Sequence, residues 1–124
     1  MPKRVLIVDD GIFFRRALRD ILTAGGYDVI GEAENGEQAV AEAIRLRPDI
    51  IILDVVMPVK NGLEAAREIS GLAMPAKIVM CTSLGYEPIV DEAVSSGASG
   101  YILKPLNESK VLGALKNLYP AETC

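Results

Sequence analysis

The sequence predicts an α/β fold in which helices cover both faces of a doubly wound, five-stranded parallel sheet. Strand-like and helix-like segments alternate from one end of the 124 residues to the other, and this alternation is typical of βα units with parallel strands. Three of the strand-like segments are short, nearly continuous apolar runs rich in Val and Ile. Such runs are expected where a strand is buried on both faces.

The strand limits follow from these apolar runs. The second strand is more polar than the others, which indicates a position at an edge of the sheet. In chain order, we predict strands at Arg4–Val8, Tyr27–Ala33, Ile50–Leu53, Lys77–Cys81 and Gly100–Leu103.

A helical pattern follows each strand. The third helix, at Leu63–Ile69, is the least periodic, and Asn35 and Asn107 are candidate N-caps. The predicted helix ends are Gly25–Gly26, Pro48 and Gly97. The apolar faces of the other four helices comprise Phe14, Ala17, Leu18, Ile21 and Leu22; Val40, Ala43 and Ile44; Val90, Ala93 and Val94; and Val111, Ala114, Leu115 and Leu118.

Composition narrows the functional classes. The formal net charge is −4, and an acidic domain lacks the basic face that direct nucleic-acid binding needs. No apolar stretch reaches membrane-spanning length, and the first residues do not resemble a signal peptide. We therefore expect one cytoplasmic domain over residues 1–124, without membrane or nucleic-acid partners, in which residues 119–124 form a tail or the start of a linker.

Cysteine and histidine usage excludes several kinds of site. Cys81 lies inside an apolar run and Cys124 is the last residue, so the sequence contains neither a disulfide framework nor a zinc-binding pattern. The chain has no histidine, which is the usual general base and transition-metal ligand. Any phosphohistidine chemistry must therefore use a histidine of a partner.

Acidic residues follow two of the predicted strands. Asp9 and Asp10 come directly after the first strand, and Asp54 comes directly after the third. Because ligands of doubly wound sheets bind at the carboxyl ends of the strands, we expect these three carboxylates in one cleft. Clustered carboxylates repel one another and need a cation, and oxygen-only ligands favour Mg²⁺, with Mn²⁺ or Ca²⁺ as alternatives. Taken alone, Asp9-Asp10-Gly11 would be a solvated turn with a helix N-cap; Asp54 is what favours the metal site.

Two further polar residues end predicted strands. Lys104 follows the fifth strand and can pair with a phosphate or with Asp54, although a lysine considered alone is more often a surface residue. Thr82 follows the fourth strand and can donate to a phosphoryl oxygen, although threonine is common in strands. Tyr101 considered alone is a half-buried strand aromatic. A cation held by carboxylates beside a lysine is suited to binding a phosphoryl group.

Together these segments resemble the response-regulator receiver domains of bacterial two-component signalling, especially the stand-alone chemotaxis type. The resemblance spans essentially the whole chain, and it is specific because the segments occur in order at the correct strand ends. The matching segments are Val8-Asp9-Asp10, Leu53-Asp54-Val55-Val56-Met57-Pro58, Asn61-Gly62, Thr82-Ser83 and Tyr101-Ile102-Leu103-Lys104-Pro105. The resemblance implies the flavodoxin-like strand order 2-1-3-4-5.

The resemblance also implies a role for each site residue. Asp54 would accept a phosphoryl group from a histidine kinase or a phosphotransfer protein. Asp10, Asp54 and the backbone carbonyl of Val56 would bind Mg²⁺, with Asp9 acting through water. Lys104 would contact the phosphoryl group.

A conformational switch is the third implication of the resemblance. Thr82 would move to a phosphoryl oxygen, Tyr101 would follow from an exposed to a buried rotamer, and the bond from Lys104 to Pro105 would be cis. The face that changes would include the fourth helix, the fifth strand and the fifth helix, roughly residues 88–97 and 100–118, and would regulate an output protein or an attached output domain. We expect a monomer, with a phosphorylation-dependent dimer as an alternative.

Two apolar residues distinguish the predicted site. Val56 and Leu84 lie two residues after Asp54 and Thr82 respectively, where side chains of the family flank the path of the attacking water. Neither can orient that water by hydrogen bonding, so we hypothesise slow hydrolysis of the acyl phosphate. The alternative is that both side chains merely pack against loops.

Four other interpretations are weighed against this one. The domain could be the receiver part of a longer transcription factor or effector enzyme. An aspartyl-nucleophile phosphatase usually needs a second acid two residues after the nucleophile, where Val56 stands. A flavin-binding protein would have Gly, Ser or Thr in a first loop that is acidic here. The complete set of site residues argues against a degenerate receiver that acts only as a scaffold.

Overall fold

The computed structural model describes residues 2–85 and 87–119. Residues 120–124 of the predicted tail, which include Cys124, therefore lie outside the described residues. Strands and helices alternate as predicted. They are β1 Arg4–Val8, α1 Ile12–Ala24, β2 Asp28–Ala33, α2 Gly36–Leu46, β3 Ile50–Leu53, α3 Gly62–Gly71, β4 Lys77–Thr82, α4 Glu87–Ser95, β5 Ala98–Leu103 and α5 Glu108–Lys116. Within the described ranges, no helix combines the length and the apolar character that crossing a membrane requires.

The five strands form one parallel sheet in the order β2-β1-β3-β4-β5, which confirms the predicted fold class. β2 lies at an edge of the sheet, as its polar sequence indicates. Val8 at the end of β1 lies beside Leu53 at the end of β3. Thr82 at the end of β4 lies beside Leu103 at the end of β5. The residues that follow these strands therefore meet along one edge of the sheet.

The observed strand limits differ from the predicted ones at three places. β2 begins at Asp28 rather than Tyr27, and β4 continues to Thr82. β5 begins at Ala98, two residues before its predicted start at Gly100. This early part of β5 is hard to predict because Ala98-Ser99-Gly100 contains no apolar run.

Each face of the sheet has its own apolar cluster. Because side chains alternate along a strand, β1 directs Leu6 and Val8 into one cluster and Val5 and Ile7 into the other. The first cluster includes residues of α2, α3 and α4, and the second includes residues of α1 and α5. Cys81 is buried in the second cluster, as predicted. The strand ends thus rest on a sheet that is packed from both sides.

Three apolar side chains predicted on inner helix faces lie at the surface instead, and the smallest of them is Ala17 of α1. Ile44 of α2 is 49% exposed and Val94 of α4 is 63% exposed. The adjacent alanines, Ala43 and Ala93, are fully buried. Because such small side chains let a helix lie close to the sheet, the stripe in contact is too narrow to include Ile44 or Val94.

Asparagine side chains begin three of the described helices. Asn35 and Asn107 each accept a hydrogen bond from the backbone N–H three residues later, which confirms both predicted N-caps. Asn61 caps α3 in the same way, and the Glu64 carboxylate accepts from the Asn61 N–H in return. This capping box escaped prediction, although Asn followed three residues later by Glu is one of its sequence signatures.

The start of α3 lies so close to the end of β3 that a side chain cannot fit between them. A Cβ atom at Gly62 would lie 1.9 Å from the carbonyl oxygen of Asp54, a backbone atom. Around Gly71, the last residue of the same helix, a Cβ atom would meet nothing within 4 Å. The two glycines therefore form a matched pair for mutation.

We expect Gly62→Ala to lower the free energy of unfolding by about 2–3 kcal/mol, because backbone must move to admit the new methyl group. Gly71→Ala is the control and should raise it by about 0.5–1 kcal/mol, since alanine favours a helix over glycine. Urea unfolding of both variants measures the difference. Equal unfolding midpoints would contradict the close approach of α3 to Asp54.

Candidate functional site

Three carboxylates meet at the carboxyl ends of β1 and β3. Asp9 follows β1 and Asp54 follows β3, and the pairing of these strands places them side by side. Asp9, Asp10 and Asp54 each offer one carboxylate oxygen, and these oxygens lie within 4.8 Å of one another. Asp9 and Asp54 are 3% and 6% exposed, whereas Asp10 is open to solvent. The predicted cluster is confirmed, and its oxygen-only donors fit a hard divalent cation that keeps part of its water shell.

Lys104 places its ammonium group between two of these carboxylates. Nζ donates to Asp9 Oδ2 at 2.8 Å and to Asp54 Oδ2 at 3.3 Å. Lys104 follows β5, which is two strands away from β3 in the sheet, and its peptide bond to Pro105 is cis. The pairing with Asp54 was expected from the sequence, but the shorter contact, to Asp9, was not.

An aromatic ring covers the same ammonium group. Nζ of Lys104 lies 3.9 Å from the ring centroid of Phe14, in the first turn of α1. The helical pattern assigns Phe14 only to the inner face of α1, and no sequence spacing indicates its contact with Lys104. The ammonium group is therefore held by two carboxylates and by the face of a ring.

Hydrogen bonds fix the acidic segment that follows β1. The Asp9 N–H donates to the Ala33 carbonyl at 3.1 Å, and the Gly11 N–H donates to Asp9 Oδ1 at 2.8 Å. Arg15, which is 6% exposed, donates from Nη1 to the Asp9 carbonyl at 2.6 Å and from Nε to Glu32 at 2.9 Å. Arg15 thus ties the acidic segment to β2, a role that its sequence position does not reveal.

The segment after β3 is also held by its backbone. The Asp54 N–H donates to the Val8 carbonyl at 3.0 Å, and the Gly62 N–H donates to the Val55 carbonyl at 2.8 Å. The side chain of Val56 is 58% exposed. Val56, two residues after Asp54, is therefore exposed to solvent rather than packed in the core. Its side chain has no carboxyl group that could act as an acid.

Thr82, Leu84 and Tyr101 are joined by hydrogen bonds through the segment after β4. Thr82 is 1% exposed, and its hydroxyl oxygen accepts from the Leu84 N–H at 3.4 Å. The Tyr101 hydroxyl donates to the Leu84 carbonyl. Tyr101 is half-buried, and the Leu84 side chain packs partly against the first apolar cluster. Leu84 therefore links the end of β4 to β5.

Burial and neighbouring charges shift the pKa values of Asp54 and Lys104. Burial raises the pKa of Asp54, and the Asp9 carboxylate raises it further, against the opposing effects of Lys104 and Thr82. Burial alone would lower the pKa of Lys104, but its hydrogen bonds and charge interactions with the two carboxylates outweigh burial and raise it. Lys104 therefore stays charged at neutral pH, and the two carboxylates share it.

Comparison with known proteins identifies the family. The family model described as the response regulator receiver domain matches residues 5–116. The chain belongs to this family. Among the relatives of this receiver domain, chemotaxis protein CheY of Thermotoga maritima is 46% identical over 118 residues, which cover 95% of this chain and 98% of that protein.

Further relatives agree with this assignment. Chemotaxis protein CheY of Bacillus subtilis is 40% identical to the receiver domain over 115 residues, 93% of this chain and 96% of that protein. A solved structure of CheY from Borrelia burgdorferi, in a complex with CheX, BeF₃ and Mg²⁺, has a TM-score of 0.93 and 34% identity, and the match covers 96% of this chain and 90% of that chain.

Family and geometry together define the kind of activity. The receiver domain is a phosphoryl-accepting signalling switch and not a catalyst of a metabolic reaction. Receiver domains bind Mg²⁺ at the acidic pocket, which here consists of Asp9, Asp10 and Asp54. Binding of Mn²⁺ stays a prediction.

We expect Asp54→Asn to raise the free energy of unfolding at neutral pH when divalent cations are absent. Because the folded-state pKa of Asp54 is raised, ionised Asp54 costs stability, and this cost grows as pH rises from the unfolded to the folded pKa. The neutral amide removes the cost, and the difference should shrink as pH falls through the folded pKa.

Urea unfolding with a chelator, from about pH 4 to about pH 8, covers the range over which a raised aspartate pKa acts. Asp20→Asn, at an exposed position of α1, is the control. A less stable Asp54→Asn at neutral pH would mean that attraction to Lys104 outweighs burial and repulsion.

Proposed function

We propose that Asp54 is the residue that accepts the phosphoryl group. A carboxylate oxygen of Asp54 attacks the phosphorus atom of a phosphohistidine on a histidine kinase or phosphotransfer protein. The new O–P bond forms as the N–P bond breaks, and the electron pair of that bond passes to the imidazole nitrogen. The observation that carries the proposal is the position of Asp54, which is buried beside two further carboxylates and accepts from Lys104.

The remaining acidic residues would hold a magnesium ion for this transfer. We propose Asp10, Asp54 and the Val56 carbonyl as ligands, with Asp9 acting through water, and Mn²⁺ as an alternative ion. Such an ion supplies positive charge that offsets the charge of the phosphoryl oxygens. Lys104 already donates to both buried carboxylates, and it needs only to turn one donor to reach a phosphoryl oxygen at Asp54.

Thr82 and Tyr101 would transmit the change. In the proposed switch, the Thr82 hydroxyl leaves the Leu84 N–H and donates to a phosphoryl oxygen. The segment after β4 is then released at one end, and Tyr101, whose hydroxyl bonds the Leu84 carbonyl, moves to a buried rotamer. The surface formed by α4, β5 and α5 would change with it and regulate an output protein or an attached output domain.

Chemotaxis is the pathway we propose, because relatives named chemotaxis proteins match over nearly their whole length. The CheY of B. burgdorferi was solved in a complex with the protein CheX, which supports a protein as a binding partner. We further propose one cytoplasmic domain that is monomeric before phosphorylation, with a phosphorylation-dependent dimer as an alternative. The receiver part of a longer transcription factor or effector enzyme is the second candidate, and the length of the gene decides between them.

We expect acetyl phosphate with Mg²⁺ to add one phosphoryl group to the protein, and Asp54→Asn to abolish the addition, because the amide cannot form an acyl phosphate. Intact-protein mass spectrometry measures the change. Asp20→Asn keeps the same net charge as Asp54→Asn and should be labelled normally. Persistent labelling of Asp54→Asn would place the acceptor elsewhere.

We also propose that the acyl phosphate is long-lived, since neither exposed Val56 nor half-buried Leu84 can hydrogen-bond an attacking water. The double variant Val56→Asn, Leu84→Glu should lose its phosphoryl group at least about tenfold faster, because a polar group can then orient or activate the water. The decay is followed after the donor is removed.

Val59→Asn supplies the control for this experiment, because Val59 is a second exposed valine of the same segment. Its decay should match that of the wild type. The proposal fails if the wild-type phosphoryl group lasts no longer than that of the double variant.

A further inference from the structure

We propose that Phe14 is a positioning residue for Lys104, and that its ring holds the ammonium group over the acidic cleft before a phosphoryl group arrives. The inference rests on the role of Lys104 proposed above. Nζ lies 3.9 Å from the ring centroid, well inside the distance of about 6 Å within which a cation is attracted to an aromatic face.

The ring is fixed by the packing of α1. The two preceding residues, Ile12 and Phe13, are 55% and 82% exposed, whereas Phe14 is half-buried and packs against the second apolar cluster. Phe14 therefore offers a stationary surface to Lys104, whose own side chain is 24% exposed.

Lys104 is contacted on more than one side. Its Nζ donates to Asp9 at 2.8 Å and to Asp54 at 3.3 Å, and the Phe14 ring supplies a third contact. A lysine side chain loses much rotamer freedom when it is fixed, and a lysine that is already fixed does not lose it during the transfer. Because attraction to a ring face is not aimed at one acceptor atom, Nζ can turn from a carboxylate to a phosphoryl oxygen without leaving the ring.

If Phe14 served only to fill space, fluorination of its ring would leave the phosphorylation rate unchanged. Replacing Phe14 with a smaller residue would remove the ring and also leave a cavity, so truncation mixes the two effects. Successive fluorine atoms withdraw electron density from the ring face with little change of shape. The attraction to Lys104 should therefore weaken step by step while the ring stays packed.

The rate of phosphorylation by acetyl phosphate at saturating Mg²⁺ should fall stepwise with mono-, di- and trifluorophenylalanine at position 14, by about threefold to tenfold in total. The same series at Phe13, the exposed neighbour, is the matched control and should leave the rate unchanged. In a Lys104→Met background, the series at position 14 should have no further effect. A flat series at position 14, or an equal decline at position 13, overturns the proposal.

NMR tests the contact without any phosphorylation. The ring current of Phe14 should shift the ε-methylene protons of Lys104 upfield, and Phe14→Leu should remove the shift. Unshifted ε protons in the wild type overturn the inference even where Asp54 is phosphorylated. A normal upfield shift in a protein that accepts no phosphoryl group would instead refute the proposed function and leave the Phe14 contact standing.

Discussion

Asp9 and Asp54 carry two carboxylates into a cleft from which most water is excluded, and neither can move away from the other. Burial and mutual repulsion raise the pKa of Asp54, while Lys104 lies between the two groups and remains charged. One ammonium group cannot balance three carboxylates once Asp10 is counted. The residual negative charge is what makes the cleft a site for a divalent cation, and in the proposed transfer this cation would offset the charge of a phosphoryl group at Asp54.

The repulsion between the carboxylates creates a cation site only because the backbone that carries them is rigid. The sheet fixes the separation of β1 and β3, and apolar clusters on both faces hold the sheet. Arg15 holds the Asp9 carbonyl, and Gly62 lets α3 press against the Asp54 carbonyl. Both contacts are made to backbone atoms, so they position the acidic residues and leave the carboxylate oxygens available for a cation or a phosphoryl group.

Features encoded locally could be predicted from the sequence, and features created by packing could not. The alternation of strands and helices and the N-caps at Asn35 and Asn107 follow from patterns within short segments. The meeting of Asp9 with Asp54 follows from the rule that ligands of doubly wound sheets bind at the carboxyl ends of the strands. The strand order came from resemblance to a family. The contacts of Arg15 and Phe14 depend on how α1 lies on the sheet.

Two further features that could not be predicted from the sequence also have physical causes. Val94 is exposed because the adjacent Ala93 sets the contact of α4 with the sheet. Val59 has a φ of 70°, which a β-branched residue disfavours. The surrounding segment imposes this conformation: the Lys60 N–H donates to the Pro58 carbonyl at 2.8 Å, and the Lys60 carbonyl accepts from Gly36 at 2.8 Å.

The direction of the proposed switch follows from the strengths of the bonds that Thr82 can make. A ligand shifts an equilibrium only through contacts that differ between the two states. The Thr82 hydroxyl now accepts from the Leu84 N–H at 3.4 Å, which is long for a hydrogen bond, whereas a hydroxyl donating to a charged phosphoryl oxygen makes a shorter and stronger one. Thr82 also hydrogen-bonds the Asp54 carboxylate. The phosphoryl group that would replace this carboxylate as acceptor carries more charge and more oxygens, which favours the rearranged state. Tyr101 of β5 holds the other end of Leu84, and Lys104 directly follows β5. Both responses to the phosphoryl group therefore reach the same strand, which is a physical reason for β5 to belong to the surface that changes.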